Sequence, residues 1–168
     1  MKAFKITETG TFMTKLLSGR TFDTFLLEEA SLNMQVGWVL DGKINRSFFT
    51  EVEWADESNH PYPLIAWGDV RGNMRELIRG KKAPASLSIV LHLRPDRMEQ
   101  MLDAEGYPGL KDSIGAMVLN IRYDGSEVTL VTGIALSSFT LDRNADRIWD
   151  ESMGRFLSSC DIKYETLT

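Results

Sequence analysis

LSIVLHLRPDRMEQMLDAEGYPGLKDSIGAMVLNIRYDGSEVTLVTGI, residues 87–134, is the stretch that decides the fold. Leu87, Ile89, Leu91 and Leu93 fall on every second position, with Ser88 and His92 between them. A period of two marks a strand with one buried face. Pro95 suits the first turn of a helix, where its missing N–H has no partner to lose. Met98, Met101 and Leu102 then lie on one helical stripe. After a turn at 106–109, Met117, Leu119, Ile121 and Tyr123 alternate with Asn120 and Arg122. Asp124-Gly125-Ser126 is a tight turn, and Val128 and Leu130 belong to the returning strand. The stretch reads β-α-β-β, with strands over 87–93, 116–123 and 127–134 and a helix over 95–104.

The same order stands about 86 residues earlier. A strand over 2–6 precedes a helix over 8–18, capped by Thr7 or Thr9, whose stripe is Phe12, Met13, Leu16 and Leu17. Strands over 24–30 and 32–40 follow, turning near 31–33. Asp41-Gly42 reads as a hairpin turn, with Lys43 to Phe48 returning. Past residue 136, a strand over 137–141 leads to a helix over 142–160, capped by Asp142 or Asn144. Ile148, Trp149, Phe156, Leu157 and Cys160 line its inner face, and the tail from Asp161 is expected to be loosely held. The expectation is one α+β domain, residues 1–168, with halves over 1–46 and 86–141, an insert over 47–84 and the C-terminal helix. The two β-α-β-β units would form a mainly antiparallel sheet with helices on one face.

A chain of 168 residues is long enough to bury a full core without a metal or disulfide staple. Its net charge of −5 argues against a surface that tracks nucleic acid everywhere, while leaving room for a local basic face. The single cysteine, Cys160, has no partner for an internal disulfide and points to a reducing compartment. MKAFKITETG has no apolar run of signal-peptide length, and nothing approaches the ~18 apolar residues of a membrane span. A cytoplasmic protein is expected.

The stretches TFDTFLLEEA (21–30), RELIRGKKAPASLSIVLHL (75–93) and NIRYDGSEVTLVTGIALSSFTLD (120–142) resemble an uncharacterised bacterial protein family of about this length. The resemblance covers nearly the whole chain and carries no known activity, so it transfers no site. In element order alone, the tandem β-α-β-β units are similar to the halves of a DNA sliding-clamp domain, which implies a clamp-like arrangement of helices under a shared sheet.

Two patches in the insert carry the candidate sites. Arg71, Arg75 and Arg79 are spaced by four, which aligns them on a helix capped by Asp69 and ended by Gly80, and Lys81 and Lys82 extend the charge. Like charges at this spacing repel, so an anionic ligand such as a nucleic acid is one reading. The competing reading is a solvated face paired with Glu51, Glu53, Asp56 and Glu57. Phe48, Phe49, Trp54 and Trp67 lie close together around a short helix near 48–56 and a loop broken by Pro61 and Pro63. They are either a partner-binding patch or a satellite core.

Catalytic signals are weak. Glu28 and Glu29 are neighbours in a strand, so one would face inward as a candidate acid or base, or the pair would protect an edge. His60, His92 and Cys160 share no metal-ligand spacing, and no phosphate-cradling glycine loop occurs. No catalytic residue, metal or cofactor is assigned. The expected role is a non-catalytic binding or assembly module that engages a polyanion or a protein partner through residues 47–84, or self-associates. The alternative is a small enzyme whose site is assembled from scattered polar residues.

Overall fold

The computed structural model describes residues 1–167. The chain runs β1 (Ala3–Ile6), α1 (Thr9–Leu17), β2 (Leu26–Asn33), β3 (Gly37–Asp41), α2 (Glu51–Ala55), β4 (Ile65–Ala66), α3 (Trp67–Ile78), β5 (Ser86–His92), α4 (Pro95–Ala104), β6 (Ile114–Tyr123), β7 (Val128–Leu136), α5 (Asn144–Ser159) and β8 (Tyr164–Leu167). All eight strands form one antiparallel sheet in the order β3-β2-β5-β6-β7-β1-β8. The two-residue β4 pairs with the start of β2, at the end that β3 leaves free. The α+β class read from the sequence is the class observed.

Alternation decides which sheet face is covered. Leu87, Ile89 and Leu91 of β5, Met117, Leu119 and Ile121 of β6 and Val128 and Leu130 of β7 all point to the helix layer and are buried. Burying each such side chain contributes about 1.5–3 kcal/mol. The helices supply the other half of the core: Phe12, Leu16 and Leu17 from α1, Met98 and Leu102 from α4, and Ile148, Trp149, Met153 and Leu157 from α5. Trp149 keeps its polar edge satisfied by donating Nε1–H to the Val118 carbonyl at 2.9 Å. The opposite sheet face carries Ser88, Asn120, Arg122 and Thr129 toward solvent.

Both β-α-β-β runs are present in order, and their pairing differs. In the second, α4 connects neighbours, since β5 pairs directly with β6. In the first, α1 carries the chain across the helix layer, from β1 beside β7 and β8 to β2 beside β3 and β5. The C-terminal tail is therefore a strand: β8 pairs residue for residue with β1, from Ala3↔Leu167 to Ile6↔Tyr164. Tyr164 packs edge-on against Phe4 at 5.1 Å, which anchors it.

Several local expectations change. The β2–β3 turn falls at 34–36, one closing bond running from the Met34 N–H to the Val36 carbonyl. Asp41-Gly42 does not turn a hairpin. The chain continues, donating from Gly42 N–H to the Glu28 carbonyl and from Ile44 N–H to the Pro63 carbonyl, and 46–48 is a short 3-10 turn instead of a strand. A β-bulge at Leu27/Glu29 places one extra residue in β2, so Glu28 and Glu29 are both exposed. Neither is a buried acid, and β2 is interior to the sheet, so they guard no edge. Residues 137–141 form no strand, and α5 begins after Arg143, with the Asp142 carboxylate accepting from the Asn144 N–H at 2.8 Å. Helix α1 begins after Glu8, with no side-chain cap from Thr7 or Thr9.

Candidate functional site

The insert folds as a strap over one corner of the sheet. It leaves at Gly42, runs through α2 and a second 3-10 turn at Glu57–Asn59, and returns at β4. Its stiffness comes from local bonds. Thr50 and Glu53 form a reciprocal capping box: Thr50 Oγ1 accepts from the Glu53 N–H at 3.1 Å, and the Glu53 carboxylate accepts from the Thr50 N–H at 2.8 Å. Asn59 donates to the Glu53 carbonyl at 2.8 Å. His60 donates Nε2–H to the Trp54 carbonyl at 2.7 Å, and its ring stacks on the Trp54 indole at 3.7 Å. Phe49 packs against both rings, and the Arg46 guanidinium covers Trp54 at 4.7 Å. Asp56 accepts two hydrogen bonds from Ser58, which lower its pKa below the ordinary carboxylate value.

Beneath the strap lies a cleft of about 570 Å³. Leu26, Leu40, Ile44, Phe49, Leu64, Ile65 and Val70 form its apolar walls, and Phe48 stands at the lip, 81% exposed. This volume suits a small ligand or one or two side chains of a partner. Two of the charged groups along it, Asp23 and Arg94, are engaged. Asp23 receives Arg71. Arg94 donates from Nε and Nη2 to the two oxygens of Asp96 at 3.0 and 2.6 Å, while Tyr62 O–H donates to Asp96 Oδ1 at 3.1 Å. The Arg94 bonds hold the Asp96 carboxyl well below the usual carboxylate range, and Tyr62 adds to the shift. Asp69, in the first turn of α3, lines the same cleft and faces solvent.

The two patches read from the sequence are divided by the structure. Helix α3 starts at Trp67, with Ala66 as its N-cap, three residues before the expected cap at Asp69. The basic stripe loses Arg71, which turns inward to Asp23 and also donates to the Leu17 carbonyl at 3.4 Å. Arg79 pairs with Glu76 on its own helix at 3.4 Å. None of Glu51, Glu53, Asp56 and Glu57 pairs with the stripe; Glu51 takes Arg46 instead, at 3.2 Å. Among the described residues no ion pair forms at Arg75, Lys81 or Lys82.

The aromatic patch loses Trp67. Its side chain is fully buried, and Nε1–H donates to the Leu16 carbonyl at 2.9 Å, so it ties α3 to α1. Phe48, Phe49 and Trp54 remain together on the strap. Sequence reasoning missed Asp23, Tyr62, Arg94 and Asp96. The one available signal was the Arg94-Pro95-Asp96 spacing, which sets opposite charges two residues apart at a helix start. Among the described residues no group of three or more His, Cys, Asp or Glu is placed to hold a metal ion. No helix there is long and apolar enough to cross a membrane.

The fold and cleft together define an α+β protein with a single antiparallel sheet, helices on one face and a strapped apolar corner. The chain belongs to a family of unknown function, DUF5721, whose model matches residues 15–165. That is the near-complete coverage expected from the resemblance of the three quoted stretches. No curated protein and no solved structure matches the chain.

Proposed function

We propose that this protein is a non-catalytic binding module whose strapped cleft receives an apolar group of a small ligand or partner chain. The observation that carries this reading is the cleft's composition. Its walls are apolar, and two of its charged groups are already held in structural pairs, Asp23 with Arg71 and Arg94 with Asp96. An acid already bound to an arginine is a poor proton carrier near neutral pH. A reducing, cytoplasmic setting fits the single free cysteine, Cys160. Titration with the neutral fluorescent probe N-phenyl-1-naphthylamine tests the cleft. Saturable 1:1 binding by the wild type that V70R abolishes supports the reading. No saturable binding, or equal binding by a folded V70R, overturns it.

A second reading rests on Arg75, Lys81 and Lys82, which lie at and beyond the C-terminal turn of α3 without ion-pair partners among the described residues. This cluster, with Arg79, supports weak binding of a polyanion. Fluorescence anisotropy with labelled DNA and RNA at low salt is the test. Binding that weakens with salt and is lost on reversing Arg75, Lys81 and Lys82 to Glu supports it, and no anisotropy change rejects it.

A further inference from the structure

We propose that β3 is a self-association edge, through which two copies of this chain join their sheets about a two-fold axis at Val39. Strand β3 ends the sheet, and among the described residues β2 alone pairs with it. In the β2–β3 ladder, Gly42 N–H bonds the Glu28 carbonyl, and Met34 N–H bonds the Val36 carbonyl. The register between those points pairs Ala30 with Leu40 and Leu32 with Trp38. Antiparallel bonding alternates, so Trp38 and Leu40 bond to β2 while Gly37, Val39 and Asp41 direct their N–H and C=O groups outward.

That outward row is self-complementary. Rotating a second copy by two-fold symmetry about Val39 sets Val39 against Val39 and Gly37 against Asp41 of the other copy. Each residue then exchanges both of its backbone bonds, as an isologous contact requires. The strand lacks the usual protection of an edge: it contains no Lys, Arg or Pro, and its one charge, Asp41, accepts from the Lys43 N–H at 2.9 Å. Side chains in it and in the turn just before it instead invite cover, with Val36, Trp38 and Val39 exposed by 58%, 45% and 70%.

The layer behind the strand points to a second copy rather than an unrelated strand. A groove between β3 and α3 is lined by Trp38, Leu40, Met74 and Leu77, with Arg75 and Glu76 beside them. Arg75 has no ion-pair partner among the described residues, and Glu76 is held only by an exposed contact to Arg79 at 3.4 Å, so when the same surface faces itself Arg75 of each copy can take up Glu76 of the other. A partner of uniform charge would leave one of them opposed.

Sedimentation equilibrium and light scattering of the wild type and V39P test the proposal. The Val39 N–H faces away from β2, so proline there removes an intermolecular donor without removing a bond of the monomer. The wild type should be a concentration-dependent dimer. V39P should weaken dimerisation by about tenfold or more while keeping its circular dichroism. V39K provides the same test by charge if V39P fails to fold. A monomeric wild type overturns the proposal, as does a dimer of unchanged affinity in the folded variants.

Discussion

Arg71 holds Asp23 through two parallel bonds, Nε to Oδ1 at 2.7 Å and Nη2 to Oδ2 at 3.3 Å. The pair joins α3 to the segment before β2. It brings the arginine out of the basic stripe and into the structure of the cleft wall, since Asp23 lines the cleft. Both side chains are largely shielded, at 18% and 25% exposure, so solvent screens the pair less than a surface bridge. The guanidinium pKa is raised by its hydrogen bonds to Asp23.

Arg71→Ala is therefore expected to lower the melting temperature by roughly 3–8 °C, while Arg75→Ala, exposed and without an ion-pair partner, leaves it nearly unchanged. Arg71→Lys should recover only part of the loss, because an ammonium cannot make the parallel two-bond contact. Thermal unfolding by circular dichroism separates the three. Equal stability of the Arg71→Ala and Arg75→Ala proteins would mean that both arginines belong to one solvated face.

Gly42 is where β3 gives way to the strap, and the backbone there passes against β2. A Cβ built on it would stand 1.8 Å from the Leu27 carbonyl oxygen and 2.6 Å from its carbon. The obstruction is main chain in the middle of a sheet, beside the bulge at Leu27/Glu29, so neither side can yield cheaply. Gly42→Ala should cost about 2–5 kcal/mol. Gly72→Ala, in α3 with nothing beyond its own helix backbone and chain neighbours within 4 Å of the added methyl, should instead stabilise by about 0.5–1 kcal/mol through helix propensity. Urea unfolding of both variants checks the contrast, and a neutral Gly42→Ala would show that the strap departs from β2 by another path.

Trp67 illustrates a buried aromatic with a polar edge. The indole is fully enclosed, and its N–H reaches the Leu16 carbonyl 51 residues away. Trp67→Phe removes both the donor and part of the packed volume, leaving a buried carbonyl without that partner. The expected loss is about 2–4 kcal/mol in chemical denaturation. Phe48→Ser, at the exposed lip of the cleft, should change stability by less than about 0.5 kcal/mol. A Trp67→Phe protein as stable as the wild type would contradict the buried tie between α3 and α1.

The legible part of the fold was the part governed by period. β5, β6 and β7 carry their hydrophobic residues on alternate positions, and the same faces are buried in the sheet. The stripes of α1, α4 and α5 were readable for the same reason. What escaped was set by contacts distant in sequence. β8 is a strand because β1 offers a free edge, although Tyr164 to Leu167 has no strong pattern of its own. Arg71 and Arg75 both fit the helical stripe, and only the position of Asp23 separates them. Trp54 and Trp67 lie in one aromatic-rich segment, yet one sits on the strap and the other in the core. The cleft itself collects residues from 23 to 94, a span over which no local spacing rule operates.

Asp96, which anchors the cleft residues Arg94 and Tyr62, supplies a pH test. Two bonds from Arg94 and one from Tyr62 favour its charged form, so its folded pKa lies below the unfolded value of about 3.9. A depressed carboxylate stabilises the fold fully above the unfolded pKa, and that stabilisation fades as pH falls through the lower folded value. The wild type should melt above Asp96→Asn at pH 7, and the gap should narrow steadily below about pH 4. Asp96 is 42% exposed, so solvent screening keeps the gap modest. Asp56 and Asp124 also have lowered pKa values and add to acid unfolding in both proteins, which the difference between them removes. Melting curves of the pair from pH 2 to 7 decide the matter. A gap independent of pH would mean that Asp96 acts through its shape and neutral hydrogen bonds, with the Arg94 charge contributing nothing to the fold.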